Sequence, residues 1–255
     1  MTAMHRFFVP TADIQAGQVA FSPRQARQLR TVLRLTPGRQ VVVLDNTGRQ
    51  YDVVLTELTG QQAAGRIAGE RRAAGEPAVC LTLFQAMLAR EKFEWVLQKC
   101  TEIGVSRFVP VVTERTIIRD TSIKPAKMDR WRRIITEAAE QSHRGIIPQL
   151  ETPVPFDRAL DQIVQSDLAL AAYEDERTTS LKDALQDKPA APGRIALLIG
   201  PEGGLAENEI ARVNQRHATP FSLGPRILRT ETAAVVAASL VLYETGNRDP
   251  CNHDG

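Results

Sequence analysis

The feature that most constrains the fold is a run of five apolar residues at 195–199, which leads directly into a glycine-rich turn. A strand with no polar face is typical of a parallel sheet that is covered by helices on both sides. Apolar strand patterns of this kind alternate with helical patterns from Ala78 onward, and a helix over 231–243 comes last. The pattern predicts an α/β domain with a parallel sheet.

The chain before this region has a different pattern. Short strands are predicted at 6–9, 41–44, 51–58 and 63–68, separated by turn signals such as Pro37-Gly38 and Thr59-Gly60. One helix, beginning at Ser22-Pro23 and reaching Leu33, interrupts them. The first 70 residues therefore predict a small β-barrel. A stretch at 69–77 without periodicity predicts the boundary, which gives domains at 1–72 and 78–247.

The charge of the chain is divided unevenly between these two regions. Residues 1–72 contain ten arginines, no lysine and five acidic residues, a net charge of +5, whereas the remainder carries −3. This asymmetry is typical of a domain that holds nucleic acid beside a catalytic domain. An arginine-rich surface exposed only to solvent is the alternative, and charge alone does not separate the two.

Composition argues against several other classes of protein. No apolar run approaches the roughly 20 residues of a membrane span, and the N-terminal residues lack the apolar core of a signal peptide. The three cysteines, Cys80, Cys100 and Cys251, have no paired spacing, and the four histidines are scattered. We therefore expect a cytoplasmic protein without a disulfide framework and without a metal.

Two loops are candidates for binding a ligand. The first is Gly200-Pro201-Glu202-Gly203-Gly204, at the end of the apolar run, where open α/β sheets bind their ligands. It is neither a P-loop nor a dinucleotide-binding turn, and a simple tight turn is an equally good interpretation. The second loop runs over 223–232 before the last helix. There Thr230 is predicted to cap the helix, and Glu231 lies favourably in its first turn.

The second loop also places two cations, Arg226 and Arg229, close to a helix N-terminus, where positive charge is disfavoured. An anionic partner would offset this cost. The pair of loops resembles the cofactor loops of the SPOUT superfamily of RNA methyltransferases. More narrowly, the chain is similar to the RsmE family, whose members methylate N3 of one uridine in small-subunit ribosomal RNA. Glu114-Arg115 and the segments 98–105 and 137–144 add to this resemblance, which covers residues 5–245.

The resemblance implies a fold, a cofactor and partners. It implies an α/β fold in which a SPOUT-type parallel sheet with a deep trefoil knot follows a small PUA-like, RNA-binding β-barrel domain. It implies S-adenosyl-L-methionine (SAM) as cofactor, a homodimer, and 16S rRNA or the assembled small ribosomal subunit as substrate. The implied cofactor-binding residues are Leu198, Ile199, Gly200, Gly203, Gly204, Leu223, Gly224, Ile227, Leu228 and Thr232.

Methylation of uracil N3 also requires that the negative charge developing on the base be stabilised and that the N3 proton be removed. Arg229 is our candidate for the first role, and Glu202 and Glu231 are candidates for the second. Arg6, Arg30, Arg34 and Arg144 are the expected RNA contacts. Two alternatives remain open from the sequence. One is a SPOUT enzyme that methylates a ribose 2′-hydroxyl of tRNA or rRNA, and the other is a non-catalytic RNA-binding protein with the same fold.

Overall fold

The computed structural model describes residues 4–89, 91–118, 121–186 and 192–245. The chain divides into two compact units. The first unit combines the chain up to Glu76 with a later segment, Ala139–Ile147. The second unit consists of Pro77–Ala138 and of the chain from Pro148 onward. The boundary at Glu76 and Pro77 lies inside the stretch that the sequence singled out, but the nine residues of the later segment were expected in the second domain.

The first unit is built on a six-stranded sheet in the order β1-β4-β5-β6-β3-β2. Only β1 and β4 are parallel, and the remaining neighbours are antiparallel. The strands are β1 (Arg6–Phe8), β2 (Ile14–Gln15), β3 (Gln18–Phe21), β4 (Gln40–Leu44), β5 (Arg49–Leu58) and β6 (Ala63–Arg72). The short strands β2 and β3 were not predicted, because Gln15–Gln18 contains a turn of small residues that hides their alternation.

One helix, α1 (Pro23–Arg27), follows β3, and its capping agrees with the prediction. The Ser22 hydroxyl accepts a hydrogen bond from the Gln25 backbone N–H. In the opposite direction, the Ser22 backbone N–H donates to the Gln25 side-chain oxygen. Beyond α1 the helix widens into a π turn at Gln28–Val32. It ends at Arg34, which has a positive φ of 53°, a backbone conformation that is uncommon for residues other than glycine.

Both faces of this sheet are covered. Alternate side chains of β4 and β5, including Val41, Val43 and Val53, point into one apolar core. On the opposite face, Phe8, Val42 and Leu44 pack with Ala139. The later segment therefore supplies part of the core of the first unit, which the composition of residues 1–72 could not reveal.

The second unit is a parallel sheet in the order β10-β8-β7-β12-β11-β13, and β9 pairs with β8. Every neighbouring pair is parallel. The strands are β7 (Cys80–Ala86), β8 (Arg107–Val112), β9 (Gln149–Leu150), β10 (Val154–Pro155), β11 (Leu168–Ala172), β12 (Arg194–Ile199) and β13 (Thr219–Phe221). The helices are α2 (Glu91–Ile103), α3 (Pro125–Gln141), α4 (Phe156–Ile163), α5 (Leu181–Gln186), α6 (Glu207–Gln215) and α7 (Thr230–Thr245).

Residues from Ile195 to Ile199 are each at most 1% exposed, as the apolar run predicted. Ala196 and Leu198 point toward α4 and α6, with which they share a core. On the other face α7 packs against α2, β7 and β12. The predicted α/β architecture with a parallel sheet is confirmed. Short α5 was missed because its six residues span fewer than two helical turns.

Candidate active site

A cavity of about 460 Å³ lies at the carboxyl ends of three neighbouring strands, β12, β11 and β13. Because β11 pairs with both of the others, the loops that follow the three strands meet at one edge of the sheet. Ligands of open α/β sheets bind at this edge. Lys92, near the start of α2, completes the lining. The volume is in the range of cavities that hold cofactors and other small molecules.

The loop after β12 is held in place at both of its ends. The Gly204 N–H donates to the Pro201 carbonyl over 3.0 Å, which closes the turn. Gly204 has a φ of +70°, which favours glycine. From outside the loop, the Arg115 guanidinium donates to the Gly203 carbonyl over 2.9 Å and to the Leu205 carbonyl over 3.5 Å. The glycine-rich turn is thus fixed by a side chain from the segment after β8.

Glu209 supports the same loop from the first turn of α6. Its side chain is 1% exposed, and its two oxygens accept hydrogen bonds from the backbone N–H groups of Ala206 and Glu114. A buried carboxylate at a helix N-terminus is stabilised by such donors. The pair Glu114-Arg115, noted in the sequence only as part of a resemblance, therefore connects the β8 end to the glycine loop and to α6.

Thr230 connects the two glycine loops. Its hydroxyl donates to the Gly200 carbonyl over 2.5 Å and accepts from the Gln85 side-chain amide over 3.2 Å. The predicted capping role of Thr230 is wrong, because α7 begins at Thr230 itself and its first turn closes on the Arg229 carbonyl. The hydroxyl is used instead to join the start of α7 to the end of β12.

The rest of the loop after β13 is open to solvent. Gly224, Pro225, Arg226 and Ile227 are four consecutive exposed residues, and Ile227 is 87% exposed. Ser222 and Gly224 hydrogen-bond to each other at the start of the loop. Both Arg226 and Ile227 line the cavity, so this exposed part of the loop borders the site.

A third loop, after β11, was missed by the sequence analysis. Tyr173, Glu174 and Arg177 line the cavity. The pKa of the Tyr173 hydroxyl is raised, first by burial and then by the negative charges of nearby Asp175, Glu174 and Glu207. The sequence did contain a signal for this loop, since it follows a predicted apolar strand, but it has no glycines to draw attention to it.

Residues 75–242 match the RNA methyltransferase domain family. Ribosomal RNA small subunit methyltransferase E of a Synechocystis strain is 31% identical over 93% of this chain and 77% of its own length. This chain belongs to the ribosomal RNA small subunit methyltransferase E (RsmE) family. The family that the sequence resembles over residues 5–245 is confirmed.

Two solved structures agree with this assignment over nearly the whole chain. A methyltransferase of Legionella pneumophila with bound SAM has a TM-score of 0.86 and 31% identity, and covers 96% of this chain and 100% of its own. The RsmE protein of Neisseria gonorrhoeae bound to SAM has a TM-score of 0.85 and 28% identity, and covers 97% and 100% respectively.

Eight of the ten cofactor residues predicted from the RsmE resemblance line the cavity, and two do not. Leu198 is a buried core residue, because it points to the face of the sheet that packs on α4. Thr232 does not line the cavity, although its neighbours Glu231 and Ala233 on α7 do. The lining residues among the ten are Ile199, Gly200, Gly203, Gly204, Leu223, Gly224, Ile227 and Leu228.

The three predicted catalytic residues, Arg229, Glu202 and Glu231, also line the cavity. They differ in how they are held. Glu202 forms an ion pair of 3.0 Å with Lys92. One carboxylate oxygen of Glu231, Oε2, is buried and has no hydrogen-bond partner in the described part of the chain. Arg229 is exposed.

The four predicted RNA contacts all lie in the first unit, and one of them does not fit its role. Arg30 and Arg34 are exposed, whereas Arg6 is half-buried and donates to Gln50. Arg144 is only 2% exposed, and its guanidinium forms a 2.8 Å ion pair with Glu76. We correct that prediction, because a buried and paired guanidinium is not available to a phosphate.

Neither a candidate metal site nor a membrane-spanning helix occurs in the described residues. No three His, Cys, Asp or Glu side chains there come together as a group that could hold a metal ion. No helix in those residues has the length and apolar composition needed to cross a membrane.

Proposed function

We propose that this protein transfers a methyl group from SAM to N3 of a uridine in 16S rRNA, either as free RNA or in the assembled small subunit. The observation that carries the proposal is the cavity that three strand-end loops form in a chain of the RsmE family. Two relatives with that arrangement are bound to SAM. The SAM-dependent rRNA methyltransferase is thus the function that fold, site and family support together, and the cytoplasm is where such a substrate occurs.

The cavity suits SAM in shape and chemistry. A Cβ on Gly203 would contact Arg115 at 3.4 Å, and one on Gly200 would lie 3.1 Å from Leu205, so glycine at both positions lets the loop pack closely on the residues that support it. Phe221, Leu223 and Leu228 give it apolar walls. Backbone groups of the glycine loops and the nearby carboxylates offer polar partners to an adenosine and an amino acid. SAM, when bound, supplies the methyl group.

The residues of the chain provide the remaining chemistry. Uracil N3 must lose its proton as it gains the methyl group, and Arg229 stabilises the negative charge that develops on the base. Of the two acidic candidates, Glu231 is better placed to accept the proton, because its buried Oε2 has no partner among the described residues. The Glu202 carboxylate is already paired with Lys92, and we assign it to holding the loop.

The first unit is proposed to bind RNA through Arg30 and Arg34, with a smaller contribution from half-buried Arg6. Arg34 keeps an uncommon positive φ, and the preceding helix widens into a π turn, two features that often mark functional segments. Exposed Val32, at 73%, lies between the two arginines in sequence. Such a surface offers phosphate contacts together with an apolar contact for a base.

Three finer features of the family are also proposed. Residues 1–72, which contain the sheet and helix α1 of the first unit, form a PUA-like barrel domain, and residues 78–247 form a SPOUT domain with a deep trefoil knot. For the knot, the support is that α7 follows the edge strand β13 yet packs back on β7 and β12.

The protein is further proposed to be a homodimer that pairs through α2 and α7. Helix α7 carries no charged residue between Glu231 and Glu244, so it lacks the charged face that is typical of a helix at a solvent-exposed surface. Even so, Leu240 and Tyr243 are 44% and 59% exposed, and Trp95 on the adjacent α2 is 41% exposed. A second copy of the chain would cover these side chains, and sedimentation at micromolar concentration would detect it.

The decisive experiment compares rRNA nucleosides by mass spectrometry from cells with and without the gene. Loss of 3-methyluridine, restored by the wild-type gene but not by Arg229→Ala, is the expected result. Loss of a 2′-O-methylated nucleoside would indicate the ribose-methylating alternative. An unchanged nucleoside profile, together with no SAM binding by calorimetry, would leave only a non-catalytic RNA-binding protein.

Single-turnover kinetics at saturating SAM test the roles of the residues. Arg229→Ala and Glu231→Gln are expected to slow methyl transfer by at least about a hundredfold, the range for general acid–base groups. Glu202→Gln is expected to change the rate far less. A near-normal rate for Glu231→Gln would overturn its assignment as proton acceptor.

A further inference from the structure

The cavity is lined by acidic and basic side chains that are not evenly paired. Its basic residues are Lys92, Arg177, Arg226 and Arg229, and its acidic residues are Glu174, Glu202 and Glu231. Glu202 is satisfied by Lys92, and Glu231 lies in the first turn of α7, where negative charge is favourable. Glu174 differs from both. Within the described residues, no lysine or arginine nitrogen pairs with its carboxylate.

The Glu174 carboxylate lies directly on the glycine loop. A Cβ built on Gly204 would be 1.7 Å from one Glu174 oxygen and 3.1 Å from the other. Both oxygens therefore approach the Gly204 backbone, and only the absence of a side chain allows it. A negatively charged group is thus brought to the point where the glycine-rich turn meets the cavity.

Charges of both signs surround Glu174, whose side chain is exposed. After burial, the negative charges of Asp175, Glu174 and Glu207 raise the pKa of Tyr173, and the positive charge of Arg115 acts in the opposite direction. Arg177, the nearest cation in sequence, is paired with Asp175 over 3.3 Å. Among the described residues no lysine or arginine pairs with the Glu174 carboxylate, so a cation that comes with the ligand can pair with it at the mouth of the cavity.

We propose that Glu174 pairs with a positive charge of the cofactor and makes the cavity prefer SAM to neutral adenosine compounds. The inference rests on the proposed function, because it takes SAM as the ligand. SAM carries two positive groups, the sulfonium and the α-ammonium, and Glu174 contacts one of them. Glu174 is a specificity-determining residue and takes no proton in the reaction.

The experiment measures dissociation constants by calorimetry for wild type, Glu174→Gln and Asp175→Asn. The last variant removes the same charge one residue away, from a side chain that does not line the cavity. Three ligands are used: SAM, S-adenosylhomocysteine, which lacks the sulfonium charge, and 5′-methylthioadenosine, which lacks both positive groups. Binding of 5′-methylthioadenosine also reports that the adenosine part of the cavity is intact.

Glu174→Gln is expected to weaken SAM binding by about tenfold or more, the effect of losing one charge-assisted contact. The affinity for 5′-methylthioadenosine should be unchanged, and Asp175→Asn should weaken SAM binding by less than about twofold, because its exposed carboxylate is already paired with Arg177. If S-adenosylhomocysteine is weakened equally, the contact is to the ammonium; if it is unaffected, the contact is to the sulfonium. Either result supports the proposal.

Two results would overturn it: unchanged SAM affinity in Glu174→Gln, or an equal loss for SAM and 5′-methylthioadenosine. Failure of the proposed function gives a different signature, because the wild-type protein would then bind none of the three ligands.

Discussion

The two glycine-containing loops of the cavity occupy equivalent positions at the ends of parallel strands, yet the protein holds them differently. The loop after β12 is fixed by Arg115, by Thr230 and by its own turn, and Pro201 and Gly204 are buried. The loop after β13 is exposed over Gly224–Ile227. The first is preorganised by these contacts, whereas the second leaves four consecutive residues open to solvent. Preorganised contacts cost less entropy on binding.

The largest expected effect comes from adding one methyl group to each loop. Gly204→Ala should weaken SAM binding by about a hundredfold, because the new Cβ displaces the Glu174 carboxylate and φ is +70°. Gly224→Ala is the matched control, with a φ of +109° but no atom within 4 Å of the added Cβ. It carries only the backbone strain. Calorimetry with SAM compares the two, and equal losses would show that crowding at Gly204 is unimportant.

A second test removes the connection between the loops. Thr230→Val keeps the shape of the side chain but leaves the Gly200 carbonyl and the Gln85 amide without their partner. We expect a loss of about 1–3 kcal/mol in unfolding free energy and about tenfold weaker SAM binding. Thr245→Val is the control, since the Thr245 hydroxyl donates to the Val241 carbonyl within the same helix. A similar loss in both variants would show that the connection has no special importance.

A third test releases the fixed loop from outside. Arg115→Ala removes the donors to the Gly203 and Leu205 carbonyls. SAM should bind about fivefold more weakly, corresponding to about 1 kcal/mol, with the single-turnover rate at saturating SAM unchanged. Arg216→Ala, which breaks an exposed ion pair with Asp161, should leave binding as in wild type. A reduced rate at saturation would mean that Arg115 does more than hold the loop.

The smallest effect is expected in the open loop. Ile227→Ala should change the unfolding free energy of the unliganded protein by no more than about 0.5 kcal/mol, because the side chain is 87% exposed. Ile195→Ala, at 1% exposure in β12, should lose about 2–5 kcal/mol. Denaturant unfolding of both variants provides the measurement. A large loss for Ile227→Ala would show that the open loop is packed in the unliganded protein.

The parts of the fold that could be predicted from the sequence are those that depend on local residue patterns. Helix α2 and the apolar strand β12 follow from residue periodicity, and the cap at Ser22 follows from its own residue type. The two glycine loops were found because glycine and proline stand out after an apolar strand. Their significance came from the resemblance, since a tight turn has the same composition.

What the sequence did not predict depends on contacts between distant residues. Arg144 was expected to contact RNA, and instead its buried guanidinium pairs with Glu76, which is far away in the chain. Thr230 was expected to cap a helix, but its hydroxyl donates to the Gly200 carbonyl, which directly follows strand β12. Glu174 belongs to the cavity only through the order of strands in the sheet, which no local pattern specifies.

The first unit is assembled from two separate stretches of chain, and this has a consequence for its synthesis. Phe8, Val42 and Leu44 have no complete cover until Ala139 is present, and the Phe8 N–H has its acceptor only when Glu140 has been made. During synthesis, one apolar face of the sheet in the first unit therefore stays incompletely covered until the segment that begins at Ala139 has been made. If residues 1–72 were expressed alone, this apolar face would stay exposed.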